Sequence, residues 1–340
     1  MQTSDLVTPD PELAALYAAC PPPPERPAER PTAVVREGFE KIFMPFVHAN
    51  QRPFLPPESA YIVQRHDVQS EGGTVPVRTY RPAVPSPDQT LPLVLWLHGG
   101  GWRVGNIEFD DLLMKIYCVE FGACMVSVGY RLAPEHPFPT GLNDCYAVLK
   151  WAVFNASNLG ADPAKGLVLW GQSAGGNLAA VLTHRAASDP FFTHERRITG
   201  LSLQIPVLLH PNAVPLKYKD RLRSYVENED AQGISAAQMR NCYDKYSGAP
   251  TYPEVSPFLR ERLESLPPTY VQVCGKDPNR DEGIVYAERL REAGVPTRIE
   301  IYPGAIHGFH LQFPDTALAQ KFEKDAREGI RWLLNQRTTK

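Results

Sequence analysis

The sequence predicts an α/β protein built on one doubly wound, mostly parallel sheet. Short apolar, β-branched runs recur along the 340 residues, and helical patterns alternate with them after residue 92. The later apolar runs are nearly continuous, as expected of strands that helices cover on both faces. Such alternation favours right-handed crossovers within one sheet. We find no repeat of fixed period, which argues against a solenoid or a propeller.

Candidate strands and helices occupy most of the chain after residue 59. Eight strands are predicted, at residues 60–68, 75–82, 91–98, 123–131, 166–171, 201–209, 269–275 and 297–303. A Gly-containing connection separates the first two strands, which predicts an antiparallel hairpin. Five helices are predicted from the spacing of apolar residues, at residues 108–121, 140–158, 174–187, 280–294 and 315–336.

Composition and charge narrow the classes of protein and partner. The net charge is −3, so no basic surplus indicates nucleic acid or an anionic membrane as a partner. No apolar run reaches the roughly 18 residues needed to span a bilayer, and the N-terminus lacks the pattern of a signal peptide. We therefore expect a cytoplasmic protein without stable membrane insertion. The six cysteines include no CxxC pair and are expected to be reduced structural thiols.

The stretch "GQSAG" places Ser173 between two glycines at a predicted strand-to-helix turn. In the G-x-S-x-G pattern, the glycines allow a turn that would be too tight for Cβ atoms. The strained serine lifts its Oγ clear of the sheet, and the following helix N-terminus supplies free N–H groups. Because the pattern also occurs by chance, an ordinary loop serine is the alternative.

Three consecutive glycines follow the third predicted strand, in "LHGGGWRVG". Without side chains, their backbone can approach a ligand closely. In acyl transfer, backbone N–H groups stabilise the charge that develops on the carbonyl oxygen, and losing one donor costs about 3 kcal/mol. We predict that Gly100 and Gly101, with the N–H of Ala174, form an oxyanion hole. His98 is expected to orient this loop rather than to transfer protons.

A nucleophilic serine needs a base and an acid that orients the base. Asp277 follows the seventh predicted strand and His307 follows the eighth, so both lie where parallel sheets place their sites. Asp281 is a rival acid, but it falls inside a predicted helix. His310 is a rival base, whereas the Gly-flanked His307 suits a loop. The other candidate histidines are interpreted as surface or structural residues: His184, His194 and His210.

Further motifs occur in order along the chain, namely "HGGGW", "YRLAPEHPFPTGLNDCYAVLKW", "GQSAGGNLAA", "DPNRDEGIVYAERLREAGV" and "YPGAIHGF". From about residue 75 to the C-terminus, the chain resembles the hormone-sensitive-lipase branch of the α/β-hydrolases. That branch includes microbial esterases, plant carboxylesterases and fungal biosynthetic esterases. The resemblance implies the α/β-hydrolase fold: an eight-stranded, mostly parallel sheet flanked by helices, with a helical cap. It implies an N-terminal cap segment at 1–55 and a catalytic domain at 56–340, with a cap insertion at about 210–255.

The motif match also implies roles for single residues. It assigns the catalytic triad to Ser173, Asp277 and His307. It assigns the oxyanion loop to residues 98–101, in which His98 and Gly99 support the donor glycines. Glu135, in "RLAPEHP", becomes a structural hydrogen-bonding residue beneath that loop.

The substrate pocket is expected to be shaped by residues beside this machinery. Trp102 and Phe309 flank it and are expected to shape the acyl pocket. Gln172 stands where the family usually has Asp, and Asn279 stands where it usually has Leu. Both departures can change the pocket wall or the local charge, and neutral drift is the alternative. Four tyrosines of the insertion are expected to line the cap or to lie elsewhere in the core or surface: Tyr218, Tyr225, Tyr243 and Tyr246.

The predicted function is that of a serine esterase, which hydrolyses a carboxylic ester of a small to medium apolar molecule. The expected partner is this small-molecule ester; no metal and no organic cofactor is required, and a homodimer is left open. One alternative is a lyase, cyclase or acyl transferase of the same fold that acts on a biosynthetic intermediate. Another is a small-molecule receptor, although receptors of this family have lost the catalytic histidine and His307 is present here.

Overall fold

A computed structural model describes residues 3–20, 30–83 and 90–336. Its strands are β1 (Tyr61–Ser70), β2 (Gly73–Pro82), β3 (Leu93–Leu97), β4 (Cys124–Val128), β5 (Leu167–Gln172), β6 (Gly200–Gln204), β7 (Thr269–Lys276) and β8 (Thr297–Ile306). Within the described residues they form one eight-stranded sheet in the order β1-β2-β4-β3-β5-β6-β7-β8. The β1–β2 and β2–β4 pairs are antiparallel, and the other pairs are parallel. The predicted eight-stranded, mostly parallel sheet and its first hairpin are confirmed.

Helices cover both faces of this sheet. In chain order they are α1 (Thr3–Val7), α2 (Pro11–Ala19), α3 (Thr32–Gly38), α4 (Met44–Gln51), α5 (Asp111–Phe121), α6 (Thr140–Phe154), α7 (Ala174–Ala187), α8 (Ser224–Glu227), α9 (Ala236–Tyr246), α10 (Arg280–Glu292), α11 (Phe309–Gln312) and α12 (Ala317–Asn335). Helices α6, α7 and α10 bury one face, and α5 and α12 bury the other. The five predicted helices correspond to α5, α6, α7, α10 and α12, each with ends within a few residues of the prediction.

Strand β3 shows why the central strands read as continuous apolar runs. Leu93, Leu95 and Leu97 point into the core beneath α6 and α7, whereas Val94 and Trp96 point into the core beneath α5 and α12. Side chains alternate across a strand, so a strand covered on both faces has no polar positions. Each such side chain contributes about 1.5–3 kcal/mol when it is fully buried.

The sixth strand is shorter than the predicted 201–209, because it ends at Gln204. Ile205 has a positive φ of 42°, which turns the chain out of the sheet, and Pro206 has no N–H to continue the ladder. The next apolar residues are buried without pairing in the sheet. The N–H groups of Leu208 and Leu209 donate to the buried carboxylate of Glu282 instead, at 2.6 and 3.2 Å.

The N-terminal helices lie in two different places. Helix α1 packs on β7 and β8. In α2, the hydroxyl of Tyr17 donates to the Gly304 carbonyl at 3.1 Å and accepts from Ile306 N–H at 3.2 Å. Most of the proline run, residues 21–29, lies outside the described residues. Helix α3 then continues through a π-helical turn, Phe39–Phe43, into α4. Among the described residues, no helix combines the length and the apolar composition that crossing a membrane requires.

An ion pair joins the loop after β4 to α6. The carboxylate of Asp144 is fully buried and accepts from the Arg131 backbone N–H, Nε and Nη2 at 3.0, 2.9 and 2.7 Å. In the same loop, the hydroxyl of Tyr130 donates to the His98 carbonyl at 2.8 Å. The ion pair therefore anchors a loop that supports the glycine-rich segment after β3.

We expect Asp144→Ala to lower the free energy of unfolding by about 3 kcal/mol, because it leaves the Arg131 guanidinium without its carboxylate. Urea denaturation followed by circular dichroism measures this change. Glu37→Ala is the control, since it breaks an exposed pair with Lys41 and is expected to cost less than about 0.5 kcal/mol. Equal losses in the two variants would contradict the anchoring role of the pair.

Candidate active site

The turn between β5 and α7 holds Ser173 in a strained conformation, with φ 54° and ψ −117°. A Cβ atom on Gly171 would lie 2.1 Å from the Gly175 carbonyl oxygen, and one on Gly175 would lie 2.0 Å from the Leu97 carbonyl oxygen. Real Cβ contacts of this length do not occur, so only glycine fits at either position. The elbow predicted from "GQSAG" is thus present, and it presents the serine at the carboxyl end of β5.

The structure brings together the three residues that the sequence predicted to meet. Ser173 Oγ lies 2.9 Å from His307 Nε2, and His307 Nδ1 lies 2.6 Å from Asp277 Oδ2. The other carboxylate oxygen of Asp277 accepts from the backbone N–H and the side-chain amide of Asn279, at 2.9 and 3.1 Å. A leucine at position 279 could not make the second bond. Asn279 therefore helps to orient the carboxylate, a contact that sequence reasoning did not foresee.

The glycine-rich loop lies against this turn. A Cβ atom on Gly99 would lie 3.5 Å from the Ser173 Cβ, and Gly100 and Gly101 have φ values of 114° and 59°. Among the described residues, no carbonyl or side chain accepts from the N–H of Gly100 or Gly101. Ala174 is the first residue of α7, so its N–H has no acceptor within the helix. Three unpaired donors therefore come from the segments on either side of Ser173.

His98 is buried behind this loop. Its ring stacks on Tyr130 with centroids 4.2 Å apart, and its Nδ1–H donates to the Gly99 carbonyl at 2.7 Å. Burial lowers the pKa of His98 to about 4, so the ring is neutral at pH 7. This position fits the predicted role of orienting the loop.

Trp102 and Phe309 lie behind the cavity wall, so the expectation that they shape the acyl pocket is corrected. Trp102 stacks on Tyr246 of α9, with centroids 4.2 Å apart and an interplanar angle of 7°. Phe309 is fully buried and packs on Tyr302 and Phe322. Both side chains are thus packed in aromatic clusters, and neither is among the described residues that line the cavity beside Ser173.

Glu135 does not lie beneath the oxyanion loop as expected, since its side chain is 55% exposed. Its carboxylate binds the guanidinium of Arg36 in α3 at 2.7 and 2.9 Å. Arg36 Nε in turn donates to the Arg103 carbonyl at 2.8 Å. Glu135 therefore reaches the loop only through an arginine of the N-terminal helix, which the local sequence pattern cannot reveal.

The rival candidates occupy structural positions. Asp281 accepts from the N–H groups of Arg223 and Ser224, at 2.7 Å each, and pairs with Arg280. His310 stacks on Phe322 with centroids 4.1 Å apart, and burial lowers its pKa to about 3. The other histidines also lie apart from Ser173: His184 contacts the Tyr286 hydroxyl, His210 packs on Tyr243, and His194 lies in a turn.

A cavity of about 320 Å³ opens beside Ser173 and His307. One side of it carries the rings of Phe39, Phe43 and Phe109, whose centroids lie 4.6–6.0 Å apart. Phe39 and Phe43 come from the π-helical turn after α3. The sequence analysis missed both residues, and their four-residue spacing is the signal that could have indicated a shared face. None of the four tyrosines considered from the sequence lines the described part of this cavity: Tyr218, Tyr225, Tyr243 and Tyr246.

A larger cavity of about 700 Å³ lies behind this one, between α4, α5 and α12. Leu311 lines both cavities. Beside it, Gln172 lines the first cavity and His310 lines the second, and the Gln172 amide donates to His310 Nε2 at 2.8 Å. Leu311 and the hydrogen-bonded Gln172–His310 pair therefore connect the linings of the two cavities.

The comparisons with known proteins agree with this geometry. The family described as alpha/beta hydrolase fold matches residues 94–311. An AB hydrolase superfamily protein of Schizosaccharomyces pombe is 37% identical over 266 residues, which are 78% of this chain and 77% of that protein. Versiconal hemiacetal acetate esterase of Dothistroma septosporum is 36% identical over 248 residues, 72% of this chain and 74% of the relative. The crystal structure of vibralactone cyclase superimposes with a TM-score of 0.94 at 40% identity and covers 98% of this chain and 97% of its own.

Gln172 has a neutral side chain that donates to His310 Nε2 and lines the same cavity as His307. We expect Gln172→Asp to move the acidic limb of the pH–rate profile for ester cleavage up by about one pH unit, because a carboxylate stabilises protonated imidazole. Initial rates between pH 5 and 9 measure the shift. Gln172→Asn shortens the side chain without adding charge and should leave the limb in place. The same shift in both variants would show that shape, not charge, matters at this position.

Proposed function

Because the chain belongs to the α/β-hydrolase family, in its hormone-sensitive-lipase branch, we propose that it is a serine esterase. The observation that carries the proposal is the chain of contacts from Ser173 Oγ through His307 to Asp277, at 2.9 and 2.6 Å. The donors of Gly100, Gly101 and Ala174 beside the serine support it. The relatives named as esterases favour a carboxylic ester as the substrate.

The proposed reaction has two halves. Ser173 Oγ attacks the ester carbonyl carbon while His307 Nε2 takes the hydroxyl proton, and the ionised Asp277 stabilises the imidazolium that forms. The C–O bond of the ester then breaks, and His307 returns the proton to the departing alcohol. Water attacks the acyl-enzyme with His307 again as the base, which releases the carboxylic acid and restores the serine.

The oxyanion would be held by the backbone. In both tetrahedral intermediates, we propose that the oxygen accepts from the N–H groups of Gly100, Gly101 and Ala174. Gly100 cannot be replaced without disturbing the loop, since a Cβ atom there would lie 2.2 Å from the Val104 carbonyl oxygen. His98 and Gly99 would hold the loop from behind.

We propose that two segments act together as a cap that selects the substrate. The first is the part of the predicted 1–55 segment that lines the cavity, residues 30–43, and the second is the part of the 210–255 insertion in α9 and the turn before it. Trp102 stacks on Tyr246 of α9, so the cap and the oxyanion loop are packed together. A substitution in α9 that alters this stacking contact would therefore also alter the packing of the oxyanion loop.

A second candidate function is cyclisation of a biosynthetic intermediate on the same machinery. Its support is the vibralactone cyclase structure, which matches 98% of this chain with a TM-score of 0.94. In such a reaction, a nucleophilic group of the acyl chain itself would attack the acyl-enzyme in place of water. The ester bond would break as before, but the product would be a ring without an added water molecule.

We expect Ser173→Ala to lower kcat for p-nitrophenyl butyrate by at least about a thousandfold, because the nucleophile is lost. The wild type should also be labelled by a fluorophosphonate probe, and the variant should not. Ser188→Ala, at the exposed far end of α7, is the matched control and should keep both properties. Labelling of Ser173→Ala at the wild-type level would exclude this serine as the nucleophile.

The mass of the product separates the esterase from the cyclase. With hydroxy-acid esters as substrates in H₂¹⁸O, an esterase releases an acid that carries one ¹⁸O, whereas a cyclase releases a lactone without it. We expect ¹⁸O in the acid, since one of the relatives is a versiconal hemiacetal acetate esterase. A predominantly unlabelled lactone, formed by the wild type and not by Ser173→Ala, would establish the second candidate instead.

A further inference from the structure

Arg103 is a buried cation in the wall of the active-site cavity. The residue is only 6% exposed, and its backbone N–H donates to the Gly100 carbonyl at 3.0 Å. It therefore belongs to the same loop as the proposed oxyanion donors. Sequence reasoning did not single it out, although it directly follows "HGGGW".

The guanidinium of Arg103 makes its hydrogen bonds to neutral oxygens. Nη1 donates to Asn241 Oδ1 at 2.6 Å, and Nη2 donates to Thr32 Oγ1 at 3.0 Å and to the Arg30 carbonyl at 3.3 Å. Nε has no partner among the described residues. Three of the five N–H donors of the side chain are thus engaged, and none of the three acceptors carries a charge.

No described carboxylate balances this charge. Within residues 3–20, 30–83 and 90–336, no Asp or Glu oxygen lies within 4.0 Å of the Arg103 nitrogens, and no Asp or Glu lines the described part of the cavity. Burial raises the pKa of the adjacent Cys242 thiol, even though Arg103 acts to lower it, so this thiol does not supply the missing negative charge. Arg30 lines the same cavity and adds a second positive charge.

Two other buried arginines differ from Arg103 because they bind carboxylates. Arg78 and Arg280 are as deeply buried as Arg103, and each of them binds two carboxylates. Burying a cation without an anionic partner is costly. The contrast indicates that a bound molecule provides the negative charge that balances Arg103. Because Arg103 lines the active-site cavity, we infer that this molecule is the substrate.

We propose that the substrate is an ester that also carries a carboxylate, and that Arg103, assisted by Arg30, binds this carboxylate. Arginine suits the task because it keeps its positive charge when buried and because Arg103 has two further N–H donors, on Nε and Nη1, beyond the three already engaged. The proposal rests on the proposed esterase function and narrows it to acidic esters. The apolar body of the substrate would then contact the rings of Phe39, Phe43 and Phe109.

The test compares matched pairs of esters that differ in one charge. The first pair is 4-acetoxybenzoate and 4-acetoxybenzamide, and the other pairs are monomethyl and dimethyl esters of dicarboxylic acids from succinate to suberate. In the wild type, we expect kcat/KM to favour the charged member of at least one pair by about tenfold or more, as is typical of a charge-assisted hydrogen bond. Arg103→Met should remove this preference, and Arg103→Lys should keep part of it.

Arg331→Met is the matched control, because it removes the same charge from α12 at a partly exposed site and should leave the preference unchanged. No preference in any pair, or an unchanged preference in Arg103→Met, would overturn the inference. Thermal melting reports whether Arg103→Met folds. If it does not, calorimetric titration of the wild type with 4-hydroxybenzoate and 4-hydroxybenzamide decides, since weaker or equal binding of the carboxylate would overturn the inference.

These measurements also separate this inference from the proposed function. If turnover depends on Ser173 but kcat/KM is the same for the charged and uncharged esters, only the acidic-ester inference is contradicted. Tight binding of 4-hydroxybenzoate without turnover of any ester would contradict the esterase function and leave the anion site in place.

Discussion

The tight turn at Ser173 is the constraint on which the rest of the site depends. The carbonyl oxygens of Leu97 and Gly175 approach the neighbouring glycines so closely that no Cβ atom fits, and Ser173 N–H donates to the Gln204 carbonyl at 2.8 Å. These contacts join β3, β5, β6 and α7 at one point. Ser173, the start of the glycine loop and the helix N-terminus therefore have fixed relative positions. The strained φ costs on the order of 1–3 kcal/mol, which the buried sheet around it offsets.

Contacts outside this turn place the other residues of the site. Tyr17 binds the end of β8 just before His307, Asn279 binds the Asp277 carboxylate, and Trp102 fixes the glycine loop to α9. Each of these contacts comes from outside the strand-to-helix turn. Of the segments that line the cavity, α9 also packs on the glycine loop through Trp102, so the cavity wall and the loop beside Ser173 are in direct contact.

Much of the fold could be predicted from the sequence, because it depends on the period of apolar residues. The grouping of Ser173, Asp277 and His307 could also be predicted, because it depends on the order of the motifs. The directions and contacts of individual side chains could not be predicted in this way. Trp102 and Phe309 are close in sequence to the predicted site residues, but both pack in aromatic clusters formed with distant segments. Glu135 forms an ion pair with Arg36 of α3. The neutral hydrogen-bond partners of Arg103 could not be predicted from the sequence either, because Thr32 and Asn241 lie 71 and 138 residues away from it.

The shared position of Leu311 has a consequence for how this protein can diverge from its relatives. Leu311 lines both a volume of about 320 Å³ and another of about 700 Å³. A smaller residue at this position would enlarge both spaces, and position 311 lies in α11, outside the eight strands of the sheet. The room for a bulkier molecule can therefore change here while the sheet around Ser173 keeps its sequence.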